Sequence, residues 1–344
     1  MTDRSSENII GLDLGGANLK FADRHGRALS IPFPLWKSWR ELEDVLRNAF
    51  RQFEPAKLIA LTMTGELADC FANPAEGVEY LINTTVAAAN GIPVTVWQTS
   101  GEFVYPEVGC EFPILTAAAN WMALATWAAR ALEAGETGLL IDIGSTTTDL
   151  IPLSDGYPCP SGLTDYERLR SGELVYTGGQ RTPLCAVSQT VRLDDIEFPL
   201  AAEMFATMLD VYLILKEIPG NSSDFNTADG RPADINHARQ RLARMVCAGE
   251  HQLSESQLTE MALQFKESQQ RLITRQLRRA MKSLPSHPQQ IILSGSCEFI
   301  GRSVVKACPE LNDVNLLSLP KMLGSKLASA ACAHALVQLA NERI

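Results

Sequence analysis

Apolar positions along the chain follow two rhythms. Short β-branched or aliphatic runs, "NIIGLDLGG" from position 8, "KLIALTM", "IPVTVW" and "QIILSGS", read as buried strands. Between them lie stretches with helical spacing. "WRELEDVLRNAF" follows a capping box of Ser38 and Glu41. An Ala-rich helix is predicted from about 117 to 133, closed by Gly135. "LAAEMFATMLDVYLILKEI" reads as one helix, Asp234 and Ser254 cap two more, the second reaching about 284, and "SKLASAACAHALVQLANE" closes the chain. Residues 154–195 and 219–233 are rich in Gly, Pro and Ser and read as loops. Strands alternating with helices in two blocks predict an α/β architecture with mixed sheets.

Two strand-like runs end in unusual chemistry. "DLGGANLK" (13–20) and "DIGSTTTD" (142–149) share the order Asp–aliphatic–Gly–small–small–polar–x–charged. In a straight strand the end residues, an odd number apart, would face opposite sides. If each stretch folds back at its small residues, the ends become cross-strand neighbours, so that Asp13 faces Lys20 and Asp142 faces Asp149. Such turns present backbone N–H groups to an anion. Ser145, Thr146, Thr147 and Thr148 add hydroxyl donors, Lys20 a point charge, and the carboxylates can hold Mg²⁺ through water. Thr is also a good strand former, and one such hairpin would say little. Two copies split between halves of the chain predict two similar lobes gripping one phosphate-bearing ligand.

Size and charge narrow the class. At 344 residues two domains are expected: 1–134 with the first hairpin, 135–319 with the second, and a C-terminal helix, 320–344, packing back at the lobe interface. Net charge −10 disfavours nucleic acid and anionic membranes as partners. The basic stretch "RLITRQLRRAMK" therefore reads as a solvated face. The run 112–132 holds Asn120 and Arg130 and reads as a buried helix, not a membrane span. No apolar leader is visible in "MTDRSSENII", so a cytoplasmic location is expected. The eight scattered cysteines, with no C-x-x-C, read as reduced core thiols. "GSCEFIGRS" fails as a P-loop because Arg302 stands where Lys is required, and five isolated histidines make no zinc site.

The hairpin pair resembles the first and second phosphate motifs of the acetate and sugar kinase/Hsp70/actin superfamily, and "IILSGSCEF" its third, adenosine-type motif, with Gly295 and Ser296 at the turn. The resemblance implies a two-lobed actin-like (ribonuclease H-like) fold with an interlobe cleft. A narrower pattern runs in order through "GLDLGGANLK", "TMTGELADCF", "DIGSTTTDLIP", "GELVYTGGQRTPLCA" and "TADGRPAD". It resembles the hydantoinase/oxoprolinase-like family linked to tetrahydromethanopterin one-carbon metabolism. Two positions depart from it: Gly179-Gln180 replace bulkier or basic residues, and Cys297 replaces a common glycine, where a Cβ would limit approach of a nucleotide base.

That resemblance implies a transferase joining an aminomethylfuran diphosphate to the phenol of glutamyltyramine, with release of diphosphate. Its implied partners are these small-molecule diphosphate and phenolic amine substrates. Mg²⁺ is expected, held by Asp13 and Asp142, while ATP stays open, as does an ATP-dependent kinase or amidohydrolase-like enzyme on the same scaffold. Gly15, Gly16, Asn18, Gly144, Ser145, Thr146 and Thr147 would line the diphosphate, Lys20 would neutralise it, and Arg181 or Arg231 would close over it. Glu66, Asp69 and Asp149 are the candidate bases. Tyr176 could stack on a substrate ring. Plainer readings stand beside these: Glu66 and Asp69 as helix caps, Asp149 as a partner of the Thr run, Asp229 as a turn former, and Tyr176 as a half-buried core residue. The sequence leaves the oligomeric state open, a homodimer included.

Overall fold

The computed structural model describes residues 8–249 and 251–344. The first residues, read above for a leader, lie outside them. Strands β1 (Ile9–Leu14), β2 (Asn18–Asp23), β3 (Ala28–Pro32), β4 (Leu58–Met63), β5 (Val94–Trp97) and β6 (Phe103–Val104) form one sheet in the order β3-β2-β1-β4-β5-β6. Strands β7 (Thr137–Ile143), β8 (Thr148–Ser154), β9 (Tyr157–Pro158) and β10 (Leu174–Val175) belong to a second sheet. Beyond the small hairpin of β11 (Thr190–Leu193) and β12 (Ile196–Pro199), β13 (Gln290–Ser294) and β14 (Asn315–Ser318) complete it in the order β10-β8-β7-β13-β14.

The two sheets repeat one plan. In each, the first strand pairs antiparallel with the second and parallel with the fourth, and the second carries an antiparallel third. The fifth strand lies parallel beside the fourth. This is the mixed α/β arrangement expected from the sequence, and it places the β1–β2 and β7–β8 turns at equivalent points.

Several local readings are corrected. Ser38 makes no side-chain cap, because a helical turn already spans Leu35–Ser38 and a 3₁₀ turn, Trp39–Glu41, leads into the helix Leu42–Arg51. The Ala-rich helix is short, Asn120–Ala128, because Ala118 takes a left-handed backbone (φ 47°) just before it. "LAAEMFATMLDVYLILKEI" is helical only from Met208, where Thr207 and Asp210 form a capping box. Residues 154–195 are more than loop: they hold the capped helix Asp165–Ser171 and the short edge strand β10. The last helix breaks in two, Ser325–Ala328 and Ala331–Arg343. The Asp234 and Ser254 caps form as expected. All eight cysteines are free, with Cys297, Cys308 and Cys332 buried and Cys247 exposed. Among the described residues, no helix is long and apolar enough to cross a membrane.

A shared apolar layer joins the sheets. Ala60 from the first sheet, Leu140, Ile151 and Ile292 from the second, and Leu336 from the helix Ala331–Arg343 pack in one cluster with the helix Asn120–Ala128. Gly11 sets how closely the C-terminal helix lies on β1, since a Cβ there would fall 2.0 Å from the Ala333 carbonyl oxygen. Backbone against backbone cannot yield by a rotamer change. Gly11→Ala should therefore cost about 3 kcal/mol of stability, read as a lower urea midpoint at unchanged slope.

Candidate active site between two matching turns

Each hairpin closes through the same hydrogen bond: the N–H of Gly15 donates to the Asn18 carbonyl (3.1 Å), and that of Gly144 to the Thr147 carbonyl (3.0 Å). The register pairs Asp13 with Lys20 and Asp142 with Asp149, as the folded-back reading requires. In both lobes a downstream segment then ties down the turn's carbonyl oxygens. Leu35 and Phe33 donate to Gly16 (3.0 Å) and Ala17 (2.9 Å), while Gly179 donates to Gly144 (3.0 Å) and Arg181 to Ser145 (2.8 Å). Among the described residues no acceptor takes the N–H groups of Gly16, Ala17, Ser145 or Thr146. With the Gly16, Ala17, Gly144 and Ser145 oxygens engaged, these N–H groups are the turns' uncommitted donors, as an anion cradle requires.

The glycines divide by cause. Gly178 is fixed by packing, because a Cβ would lie 2.6 Å from the Thr146 nitrogen. At Gly16 a Cβ would meet nothing within 4 Å, so the protein's own packing does not explain the glycine, whereas a closely approaching ligand would. Of the four hydroxyl residues, Thr148 is structural, buried and donating to the Thr177 carbonyl (2.7 Å). Ser145, Thr146 and Thr147 stay half-buried at the turn, as do Asn18 and Lys20 opposite.

Charge gathers between the turns. Asp13 is 4% exposed, and one carboxylate oxygen of Asp13 and one of Asp142 are buried without a hydrogen-bond partner. Burial raises the Asp13 pKa, opposed by Lys20 and by a hydrogen bond from the Asn120 side chain. Burial, with Asp149 adding repulsion, pushes Asp142 up to about 6, against Lys20 and Ser294. Burial works against the Lys20 cation, but Asp13, Cys332 and Asp142 outweigh it and raise its pKa. Lys20 thus feels an aspartate from each hairpin, which brings the two turns within electrostatic reach of one another.

The candidate bases separate. Glu66 is 1% exposed and has an unpartnered carboxylate oxygen. Burial pushes its pKa up to about 7, Asp165 and Asp13 adding repulsion, while the strained Ala118 donates its N–H to it. Asp69 is exposed in the turn after β4. The following helix is capped by Asn73, so neither Glu66 nor Asp69 caps it. Asp149 is ion-paired to the buried Arg168, which also meets Asp165 (3.3 Å) and lies over the Trp121 ring (4.0 Å).

Arg181, exposed beside the second turn, stacks on Trp36 (5.5 Å), so the segments that clamp the two turns touch each other. Arg231 reaches Gln240 (3.1 Å) and Asp229 (3.9 Å) in a network with Arg241 and Arg244, and among the described residues no hydrogen bond or ion pair ties it to either turn. Asp229 anchors that network, beyond merely forming a turn. Tyr176 is 64% exposed, which overturns its reading as a half-buried core residue.

The third motif reaches the site through Gly295, left-handed at φ 92°, where a Cβ would lie 2.7 Å from an Asp142 carboxylate oxygen. Ser296 is exposed, while Cys297 is fully buried. A Cβ on Gly179 would sit 2.3 Å from the Cys297 sulfur, so the two departures from the family pattern fit one another. Reading the sequence missed Asn120, Asp165, Arg168 and Cys332. The T-D-Y-E capping box was a legible signal for the Asp165–Arg168 helix, and Asn120 stood out as a polar residue in an apolar run; nothing marked Cys332.

Two lobes of one strand plan, joined by a helical layer and meeting at paired turns, define the two-lobed actin-like class. A family model described as hydantoinase/oxoprolinase matches residues 57–335, and the chain belongs to that family. It is 30% identical over 339 residues, 98% of each chain, to a (4-{4-[2-(gamma-L-glutamylamino)ethyl]phenoxymethyl}furan-2-yl)methanamine synthase of Methanocaldococcus jannaschii. A synthase of the same name from Methanococcus vannielii is 30% identical over 56% of this chain and 85% of its own. Among solved structures, nucleotide-free acetone carboxylase superposes with a TM-score of 0.55 at 9% identity, covering 96% of this chain and 70% of that one, a likeness of fold alone.

Two outcomes follow from this geometry. Glu66 holds a proton in the native state that the unfolded chain has lost between its ordinary value, 4.5, and about 7. Its contribution is therefore full below about pH 4.5 and is lost as pH rises through 7. Relative to wild type, Glu66→Gln should gain about 3 kcal/mol of stability on going from acid to about pH 8, measured by urea unfolding. Separately, Gly179→Ala should cost about 2 kcal/mol, and adding Cys297→Gly should recover much of it, a non-additivity that a double-mutant cycle reads directly.

Proposed function

We propose that the chain is a transferase that condenses an aminomethylfuran diphosphate with the phenol of glutamyltyramine, or a close analogue, releasing diphosphate. The observation that supports this most is the facing pair of turns, donors outward, around Asp13, Lys20 and Asp142. The product named for the relatives contains an aryl ether between a tyramine phenol and a furfuryl carbon. Forming it requires the phenolic oxygen to attack the CH₂, the carbon–oxygen bond to the diphosphate to break, and the phenolic proton to reach a base.

In this reading Gly15, Gly16, Asn18, Gly144, Ser145, Thr146 and Thr147 cradle the diphosphate and Lys20 neutralises it. Glu66, poised near neutrality, takes the proton of a phenol whose free pKa is about 10. Asp149 holds Arg168, and Arg181 on Trp36 flanks the entrance. Asp13 and Asp142 would hold Mg²⁺, whose charge would ease departure of the diphosphate. Their buried, unpartnered oxygens fit such an ion. Among the described residues no group of three or more His, Cys, Asp or Glu forms a cage, so in this reading waters and substrate oxygens would complete the ion's shell.

A second reading, ATP-dependent chemistry on the same scaffold, draws support from the Gly295 turn and from Cys297 being folded away. One assay separates them. Protein with a furfuryl-type diphosphate, glutamyltyramine and Mg²⁺ should release diphosphate, and Asp13→Asn should lower the rate by at least about 100-fold. ATP turnover with candidate acceptors, and no diphosphate release in the first mixture, would overturn the transferase.

A further inference from the structure

The basic stretch read from the sequence as a solvated face does something else in three dimensions. It lies on the long helix Glu255–Met281 and runs one residue past it. Together with Glu267, Gln270 and Ala307 it lines a groove of about 570 Å³ that contains none of the residues at the turns. Arg271, Arg275, Arg278 and Lys282 line it at spacings of four, three and four, one stripe of a helix, and Arg279 stands beside them. Glu267 is the one acid in the lining.

Like charges at such spacing weaken a helix, and the buried face of this one, Phe265, Ile273, Leu277 and Ala280, does not call for them. Three of the five cations are satisfied within the chain: Arg271 by Glu267 (3.6 Å), Arg278 by Glu310 and Arg279 by the Arg170 carbonyl (2.6 Å). The side chains of Arg275 and Lys282 make no hydrogen bond or ion pair among the described residues. Two uncommitted cations flanked by three more, in a chain of net charge −10, concentrate positive potential at one spot.

We propose that this groove is a second anion site, taking a compact polyphosphate of nucleotide or phosphorylated-coenzyme size. Its volume falls in the range of small-molecule sites. The acidic remainder of the chain would repel a long polyanion such as a nucleic acid, whereas a short one feels mainly the local stripe. Gln270 and Thr274 also line the groove; the Gln270 amide donates to the Ser303 carbonyl (2.9 Å), so the cations carry the recognition.

Titration of the whole chain with inorganic tripolyphosphate at about 0.15 M salt tests this. Lys20→Gln should leave the groove's binding phase in place, while Arg275→Gln with Lys282→Gln should weaken it by at least about tenfold. Because both changed residues are exposed and unpaired, folding should be untouched, which circular dichroism checks. Identical titrations of wild type and the double variant would overturn the proposal. So would a duplex oligonucleotide that binds more tightly than tripolyphosphate and is released by the same pair of changes.

Discussion

The molecule is organised around a charge problem: two aspartates and a lysine drawn out of water where two sheets meet. Burying any one of these charges alone would cost several kcal/mol. Asp13, Asp142 and Lys20 share the cost because each hairpin brings its charges to the same gap. Lys20 raises no carboxylate's burden, and its own cationic form survives burial because an aspartate from each lobe favours it. The arrangement still leaves one oxygen on each aspartate without a partner, so the site is electrostatically incomplete on its own.

Everything nearby serves to hold that gap in shape. The clamps on the turn carbonyls, the Gly178 and Gly295 approaches and the Arg168–Asp149 pair fix the backbone and side chains around the turns. The strain at Ala118 belongs to the same economy: that residue is bent so that its N–H meets Glu66, two residues before Asn120 meets Asp13. The helix Asn120–Ala128 thus connects the apolar layer between the sheets to the two acids of the first lobe.

The hairpins were legible because their chemistry is local. A strand, a small-residue turn and charged ends at a fixed offset suffice to set the Asp13–Lys20 and Asp142–Asp149 register. Glu66 could be singled out but not ranked over Asp69, since burial, which separates them, depends on helix Pro74–Ala89 packing Gly77 against the Glu66 backbone. An arginine beside a turn in sequence, such as Arg231, carries no information about which partner it will find; here it reaches Gln240 and Asp229. Short elements, such as the two-residue β10 and the seven-residue Asp165–Ser171 helix, were lost in a Gly- and Pro-rich stretch, although β10 pairs with β8 at the sheet edge. Ala118 hid the true start of the Ala-rich helix, since nothing in a run of alanines announces a left-handed residue.

The central claim is that the two turns hold one diphosphate between them. A crystal structure grown with Mg²⁺ and methylenediphosphonate addresses it directly. The account predicts density bridging the lobes, with oxygens accepting from the N–H groups of Gly16 and Ser145 and the metal beside Asp13 and Asp142. Density confined to one turn, or lodged away from both with Lys20 facing only protein, would contradict it.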